Sequence, residues 1–257
     1  MNYIGIDIGS TCAKTVVLNE KKEIIQEFVQ PTGWSSVDTA EEIHQKLELA
    51  GISLSDDSSC CVATGYGRIS VPYADKAVTE ITCHALGAVH LFHQPDLTVI
   101  DIGGQDTKII QIEQGFVKDF IMNDKCAAGT GRFLEVMANT LSLRPNEMFD
   151  LARLGSDTTI SSMCTVFAES EVIGLIGKGE PKENIAYAVV DSTIRKVAAQ
   201  VSRMNGEMST FCLTGGLCEC EYIREALSKK LGKEVISSPD ARYAGAIGAA
   251  LSAMKIR

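Results

Sequence analysis

The chain has 257 residues, 45% of them hydrophobic and 22% charged, and a formal charge of −9. That length suffices for one large domain or two modest ones with a full core, and the acidic balance excludes a broad basic face for nucleic acid. No apolar run is long enough to span a membrane. The start, MNYIGIDIGSTCAK, sets acids and glycines where a signal peptide needs an apolar stretch, so the expected location is the cytoplasm. Nine cysteines without a CxxC pair are too few for a disulfide scaffold, and most are expected to be packing residues.

In chain order, β-rich apolar runs predict strands at about 3–7, 13–18 and 23–29, the last two separated by the turn Asn19-Glu20-Lys21. A helix is expected to begin near Thr39, with Glu42 completing a capping box and Ile43, Leu47 and Ala50 on one face. A strand at 60–63 follows, and Arg68 in Gly65-Tyr66-Gly67-Arg68 reads as a turn residue. The three-strand pattern then recurs at about 97–101, 107–112 and 116–122, with the turn Glu113-Gln114-Gly115. Two helices are expected just after Cys126 and Cys164, the second capped by Ser161 or Ser162. Their apolar stripes, Phe133, Leu134, Met137 and Leu141 in one and Val166, Ile173 and Ile176 in the other, read as core. Strands at 211–214 and 234–236 and a tightly packed small-residue helix within 243–254 complete the pattern.

IDIGSTCAK at 6–14 and IDIGGQDTK at 100–108 carry the same Ile-Asp-Ile-Gly, each with a lysine seven residues after the aspartate. Matched spacing and matched strands point to an internal duplication. The fold class is therefore α/β, with one lobe at 1–94, a second at 95–257, and the C-terminal helix at 241–257 packing back on the first. Each Asp-Ile-Gly places a carboxylate where a strand turns sharply, and glycine lets backbone amides approach an anion. Two such loops across a cleft would grip a polyphosphate, with Asp7 and Asp101 holding hydrated Mg2+ and Lys14 or Lys108 neutralising phosphate charge. FCLTGGLCEC, 211–220, runs from a strand through Gly215-Gly216, whose amides would meet ribose or phosphate at the helix start; Cys218 and Cys220 read as packing thiols.

Asp7 to Thr11, Asp101 to Lys108, Leu213 to Gly216 and Ala244 to Gly248 resemble the phosphate, adenosine and connecting motifs of the actin, sugar-kinase and chaperone ATPase superfamily. The resemblance implies two ribonuclease-H-like lobes with ATP in the cleft between them, touched by Asp7, Gly9, Ser10, Thr11, Lys14, Gly103, Gly104, Gln105, Lys108, Gly215 and Gly216.

A thiolate at a helix N-terminus is favoured by the helix dipole and by unpaired amides. Two thiolates per chain are too few for a cubane cluster, but a twofold dimer would supply four. On the residues alone, that reading stands level with two buried thiols and a phosphate-binding glycine loop. NDKCAAGTGRFLE, CTVFAESE, ATGYGR and DIGGQDTK together resemble the activator components of 2-hydroxyacyl-CoA dehydratases, a family that includes the ATPase subunits of benzoyl-CoA reductases. This resemblance implies a homodimer with one 4Fe–4S cluster held by Cys126 and Cys164 of each chain. It also implies ATP-driven transfer of a low-potential electron to a dehydratase-like iron–sulfur partner, with ferredoxin or flavodoxin as donor. In such an assignment Asp101 and Asp7 organise magnesium, while Gln105 or Glu169 positions the attacking water. The alternative is a small-molecule kinase of the same fold, of pantothenate or amino-sugar type, which has no use for the two cysteines.

Overall fold

Apolar β-branched runs broken by short polar turns form β1 (Asn2–Ile8), β2 (Cys12–Leu18) and β3 (Ile24–Pro31). The computed structural model describes residues 1–54, 57–161, 164–204 and 210–256. After β3 come α1 (Ser36–Leu49), β4 (Ser59–Thr64), β5 (Lys76–Ala77) and α2 (Glu80–Phe92). The second half holds β6 (Leu97–Ile102), β7 (Thr107–Glu113), β8 (Phe116–Asn123), α3 (Gly131–Thr140), α4 (Pro145–Ala152), α5 (Thr165–Gly177) and α6 (Lys182–Val201). It closes with β9 (Thr210–Gly215), α7 (Glu221–Leu231), β10 (Val235–Ile236) and α8 (Ala244–Ala253).

The strands make two five-stranded sheets, ordered β3-β2-β1-β4-β5 and β10-β9-β6-β7-β8. Reversed, the second order is β8-β7-β6-β9-β10, the same winding of a three-strand meander followed by two added strands. The internal duplication read from the two Asp-Ile-Gly turns is thus present in the topology. In the first sheet β1 pairs antiparallel with β2 and parallel with β4, which sets Asp7 opposite both Lys14 and Thr64. Backbone contacts divide the chain into one unit of Met1–Leu97, Ile110–Lys118 and Asp240–Arg257 and another of Thr98–Ile109 and Asp119–Pro239.

Alternation along the strands of the first unit sorts its core onto two faces. Val17, Cys61 and Ala63 join Ile43 and Leu47 of α1. Their neighbours Val16 and Leu18 meet Ala246, Ile247 and Ala250 of α8, while Cys60 and Val62 meet Cys83, Ala249 and Ala253. In the second unit Phe133, Leu134, Met137 and Leu141 are core, as the stripe after Cys126 implied, and pack with Val189, Ile194 and Leu213.

Two helix expectations are corrected. α1 starts a turn before Thr39, because the Ser35 side chain accepts from the Asp38 amide. Glu42 instead accepts from Gln30 of β3, and Ala50 is the exposed C-cap rather than part of the buried face. α5 takes Cys164 as its N-cap without a side-chain capping bond. Ser161 is drawn off to Glu171, which accepts from its amide and its hydroxyl, and Ser162 lies outside the described residues. The α5 stripe is not core either. Val166, Phe167, Ile173 and Ile176 are 66%, 68%, 57% and 46% exposed, and only Ala168 and Val172 of that helix are buried.

Candidate functional site

In the first unit, β1 delivers Asp7 to a turn of Gly9, Ser10 and Thr11. The Gly9 amide donates to the Cys12 carbonyl at 3.1 Å, and the Thr32 hydroxyl to the Gly9 carbonyl at 2.7 Å. Ser10 and Thr11 are exposed, whereas Asp7 is buried. Two glycines press against its carboxylate. A Cβ on Gly65, which has φ +83°, would stand 2.4 Å from Asp7 Oδ1, and one on Gly245 would stand 2.5 Å from Oδ2. Among the described residues, Asp7 Oδ1 has no hydrogen-bond partner. A buried carboxylate oxygen left unpartnered is costly by itself and suits a cation or a cation-bound water, so this residue fits magnesium. Lys14, opposite Asp7 in register, is half-buried.

In the second unit, Asp101 occupies the equivalent strand end, but its oxygens are engaged. Oδ1 accepts from the Thr214 hydroxyl at 2.8 Å, and Oδ2 lies 3.3 Å from Lys108 Nζ. The same ammonium, 1% exposed, meets Asp106 Oδ2 at 2.8 Å. Lys108 is therefore a buried cation shared by the buried Asp101 and the partly exposed Asp106, and Asp101 fits direct magnesium ligation less well than Asp7. Gly103 and Asp106 close the loop through a 3.0 Å backbone bond, which leaves Gln105 exposed at its tip and Gly103 and Gly104 half-buried. Gly215, with φ +84°, lies against Asp101, since a Cβ there would stand 2.8 Å from Oδ1; Gly216 is exposed, and a Cβ on it would meet none of the described residues within 4 Å.

One matched pair is missing from the sequence reading. Ala63-Thr64-Gly65 and Leu213-Thr214-Gly215 end the strands that neighbour β1 and β6, and each brings a left-handed glycine against an aspartate. The signal was a second, shorter repeat, Thr-Gly after a buried strand. The copies differ where it matters. Thr214 bonds Asp101, but Thr64 donates to the Val78 carbonyl, leaving Asp7 unpaired.

Cys126 and Cys164 both belong to the second unit. Cys126 does not sit at the start of a helix. It stands half-buried in the loop before α3, ahead of the N-cap Thr130, and the Asn123 side chain donates to its carbonyl at 2.8 Å. Cys164 is exposed at the head of α5, where its residue caps the helix. Glu169 lies in α5 and accepts from Thr140 of α3 at 3.2 Å, a helix–helix tie rather than a loop contact. Burial raises the thiol pKa of Cys61, Cys212 and Cys220, and that of Cys83 to about 11. Cys61, Cys83 and Cys212 are buried packing thiols, and Cys220 is half-buried. Arg68 donates to the Gly65 carbonyl, in keeping with a turn residue. Among the described residues no helix is long and apolar enough to cross a membrane.

Residues 4–253 match the BadF/BadG/BcrA/BcrD ATPase family. The chain belongs to this family. It is 45% identical over 258 residues to the (R)-2-hydroxyglutaryl-CoA dehydratase activating ATPase of Acidaminococcus fermentans, covering 98% of this chain and 96% of that one. The activator of the 2-hydroxyisocaproyl-CoA dehydratase from Clostridium difficile, solved with bound ADPNP, superposes with a TM-score of 0.89 at 34% identity over 100% of this chain and 95% of that one. A glucokinase of the ROK family from Streptomyces griseus shares the fold alone, with a TM-score of 0.61 at 17% identity over 99% and 100% of the two chains.

Proposed function

We propose that this protein is an ATP-hydrolysing activator that passes a low-potential electron to a 2-hydroxyacyl-CoA dehydratase or a related iron–sulfur reductase. The observation that carries the reading is the uncovered apolar face of α5, with the exposed Cys164 thiol at its head. Exposed Val166, Phe167, Ile173 and Ile176 on one helix suit a second copy packed about a twofold axis. Such a dimer brings together four thiols, Cys126 and Cys164 of each chain, the ligand number of a 4Fe–4S centre. Bound there, the cluster would supply the transferable electron, received from ferredoxin or flavodoxin. Cys126 is half-buried and Cys164 exposed, in contrast to the buried thiols of the core.

For ATP, the chain's own parts divide the work. Amides of Ser10 and Thr11 and of Gly104 and Gln105 receive the phosphates, while Gly9 and Gly103, whose own amides bond the Cys12 and Asp106 carbonyls, close the two turns against the ligand, and Lys14 adds positive charge. Gly215 and Gly216 meet the nucleoside. Asp7 holds magnesium through its unpartnered oxygen, while Asp101, fixed by Thr214 and Lys108, shapes the second loop. Gln105, exposed at the tip of that loop, is free to orient water. Glu169, tied to Thr140, is the weaker candidate. Replacing Gln105 with alanine is expected to slow hydrolysis about a hundredfold, as loss of a positioning group does, with nucleotide affinity unchanged by calorimetry. Lost affinity would make Gln105 a binding residue instead.

Iron and acid-labile sulfide per dimer, measured on protein purified without oxygen, test the reading. About four irons are expected in the parent and none in Cys126→Ser. Colourless parent protein that still binds ATP would move the function to the small-molecule kinase alternative.

A further inference from the structure

The second phosphate loop does more than offer amides to an anion; it also caps the helix that follows Cys126. Helix α3 has no side-chain cap at Thr130, so its first amides need other acceptors. The Gly131 amide donates to the Gly103 carbonyl at 2.9 Å, and the Arg132 amide to the Gly104 carbonyl at 2.8 Å. A trans peptide is planar, with its C=O and N–H pointing in opposite directions. Carbonyls of Gly103 and Gly104 that point at α3 therefore aim the amides of Gly104 and Gln105 the other way. Those are amides that the nucleotide reading assigns to phosphate. Two peptide planes thus serve the anion on one side and the helix on the other.

A third bond extends the connection to the cysteine. The buried Thr107 hydroxyl, at the start of β7, donates to the Gly129 carbonyl at 2.6 Å. Gly129, at φ +88°, is held from its other side by the Lys196 side chain, against which a Cβ would stand at 2.9 Å. The segment that carries Cys126 is also bonded internally. Asn123 donates to the carbonyls of Cys126 and Ala128, and the Thr130 hydroxyl donates to the Ala127 carbonyl. A segment so cross-linked shifts as a body.

We infer that Thr107 is a positioning residue that couples the nucleotide-binding loop Gly103–Asp106 to the Cys126 loop. The coupling rests on the proposed nucleotide site: a ligand that re-aims the Gly103 and Gly104 planes displaces the start of α3, and Thr107 carries Gly129 along. Of the three bonds just described, that of Thr107 is made by a side chain, so it can be removed without changing the backbone.

Hydrogen exchange of the full chain purified without oxygen, with Mg2+ present throughout and with or without ADPNP, tests this. In the parent, ADPNP is expected to slow exchange within 101–108 and to slow it within 126–132 about fivefold or more, the scale of a real coupling free energy. Thr107→Val should keep the first effect and the protection of Gly131 and Arg132, whose bonds to the loop are backbone, but lose most of that within 126–130; Thr107→Ser, which retains the hydroxyl, should restore it. Undiminished protection of 126–130 in the valine variant overturns the inference. Should that variant not fold, the parent decides, because protection confined to 101–108 overturns it as well. Absence of protection at 101–108 in the parent would instead remove the nucleotide site on which the coupling rests.

Discussion

Replacing Lys108 with methionine is expected to destabilise the protein by about 3–5 kcal/mol, the usual cost of removing one partner from a buried ion pair. Methionine nearly matches the length of the lysine stem and packs readily into apolar surroundings, so the loss reports charge rather than a cavity. Asp101, 3% exposed at its side chain, would keep Thr214 but lose its cation, whereas Asp106, 25% exposed, can turn to water. Most of the loss therefore arises at Asp101. Adding Asp101→Asn to the methionine variant should recover much of it, since residues in one network do not act additively. The shift in denaturant midpoint followed by far-UV circular dichroism checks both statements. A single-variant loss under about 1 kcal/mol would mean that the pair behaves like an exposed one.

The meander strands were legible because each is an apolar run of six to eight residues between polar turns. The duplication was legible because Ile-Asp-Ile-Gly recurs with its lysine at the same offset. β5 was not, since Lys76 and Ala77 form a two-residue strand with no periodicity to read. The start of α1 was misplaced by a choice between two hydroxyls. Thr39 followed by Glu42 has the spacing of a capping box, but the Thr39 hydroxyl bonds the Ser35 carbonyl from within the first turn, and Ser35 is the cap.

The α5 stripe shows a limit of periodicity. Spacing says that one face is apolar, not what covers it, and a face meant for a second chain has the same pattern as a core face. At the site, the aspartates were nameable from local sequence, because strand-end carboxylates before glycine are visible in a short window. Their state was not. Whether Asp7 or Asp101 keeps an unpartnered oxygen depends on Thr64 and Thr214, which enter from strands far along the chain. Likewise, the small residues after Cys126 do not mark a helix start; Thr130 and Gly131 do, because the carbonyls of Gly103 and Gly104 accept the first amides.

Gly5→Ala is expected to be the most damaging single-methyl change in the first unit. A Cβ at Gly5 of β1 would lie 1.9 Å from the Ala246 carbonyl oxygen and 2.4 Å from the Ala250 amide nitrogen. Both are backbone atoms of α8, so no side-chain rotation relieves the clash. The helix would have to withdraw, and two further contacts oppose that. A Cβ on Gly87 of α2 would stand 1.8 Å from the Ala244 carbonyl, and one on Gly248 of α8 would stand 1.7 Å from the Cys83 carbonyl. α8 is thus seated on glycine at three points, which explains its run of Ala244, Gly245, Ala246, Gly248, Ala249 and Ala250, all buried. Because Asp7 lies two residues beyond Gly5, and Gly245 of α8 touches its carboxylate, the displacement would reach the proposed magnesium ligand as well. A loss above about 3 kcal/mol, the upper range for overpacking, should leave little soluble folded protein. Gly174→Ala in α5, where a Cβ meets nothing within 4 Å, should instead stabilise its helix by about 1 kcal/mol. Thermal unfolding of the two variants beside the parent decides. A Gly5→Ala protein that melts with the parent would mean that α8 is not seated on β1 by backbone contact.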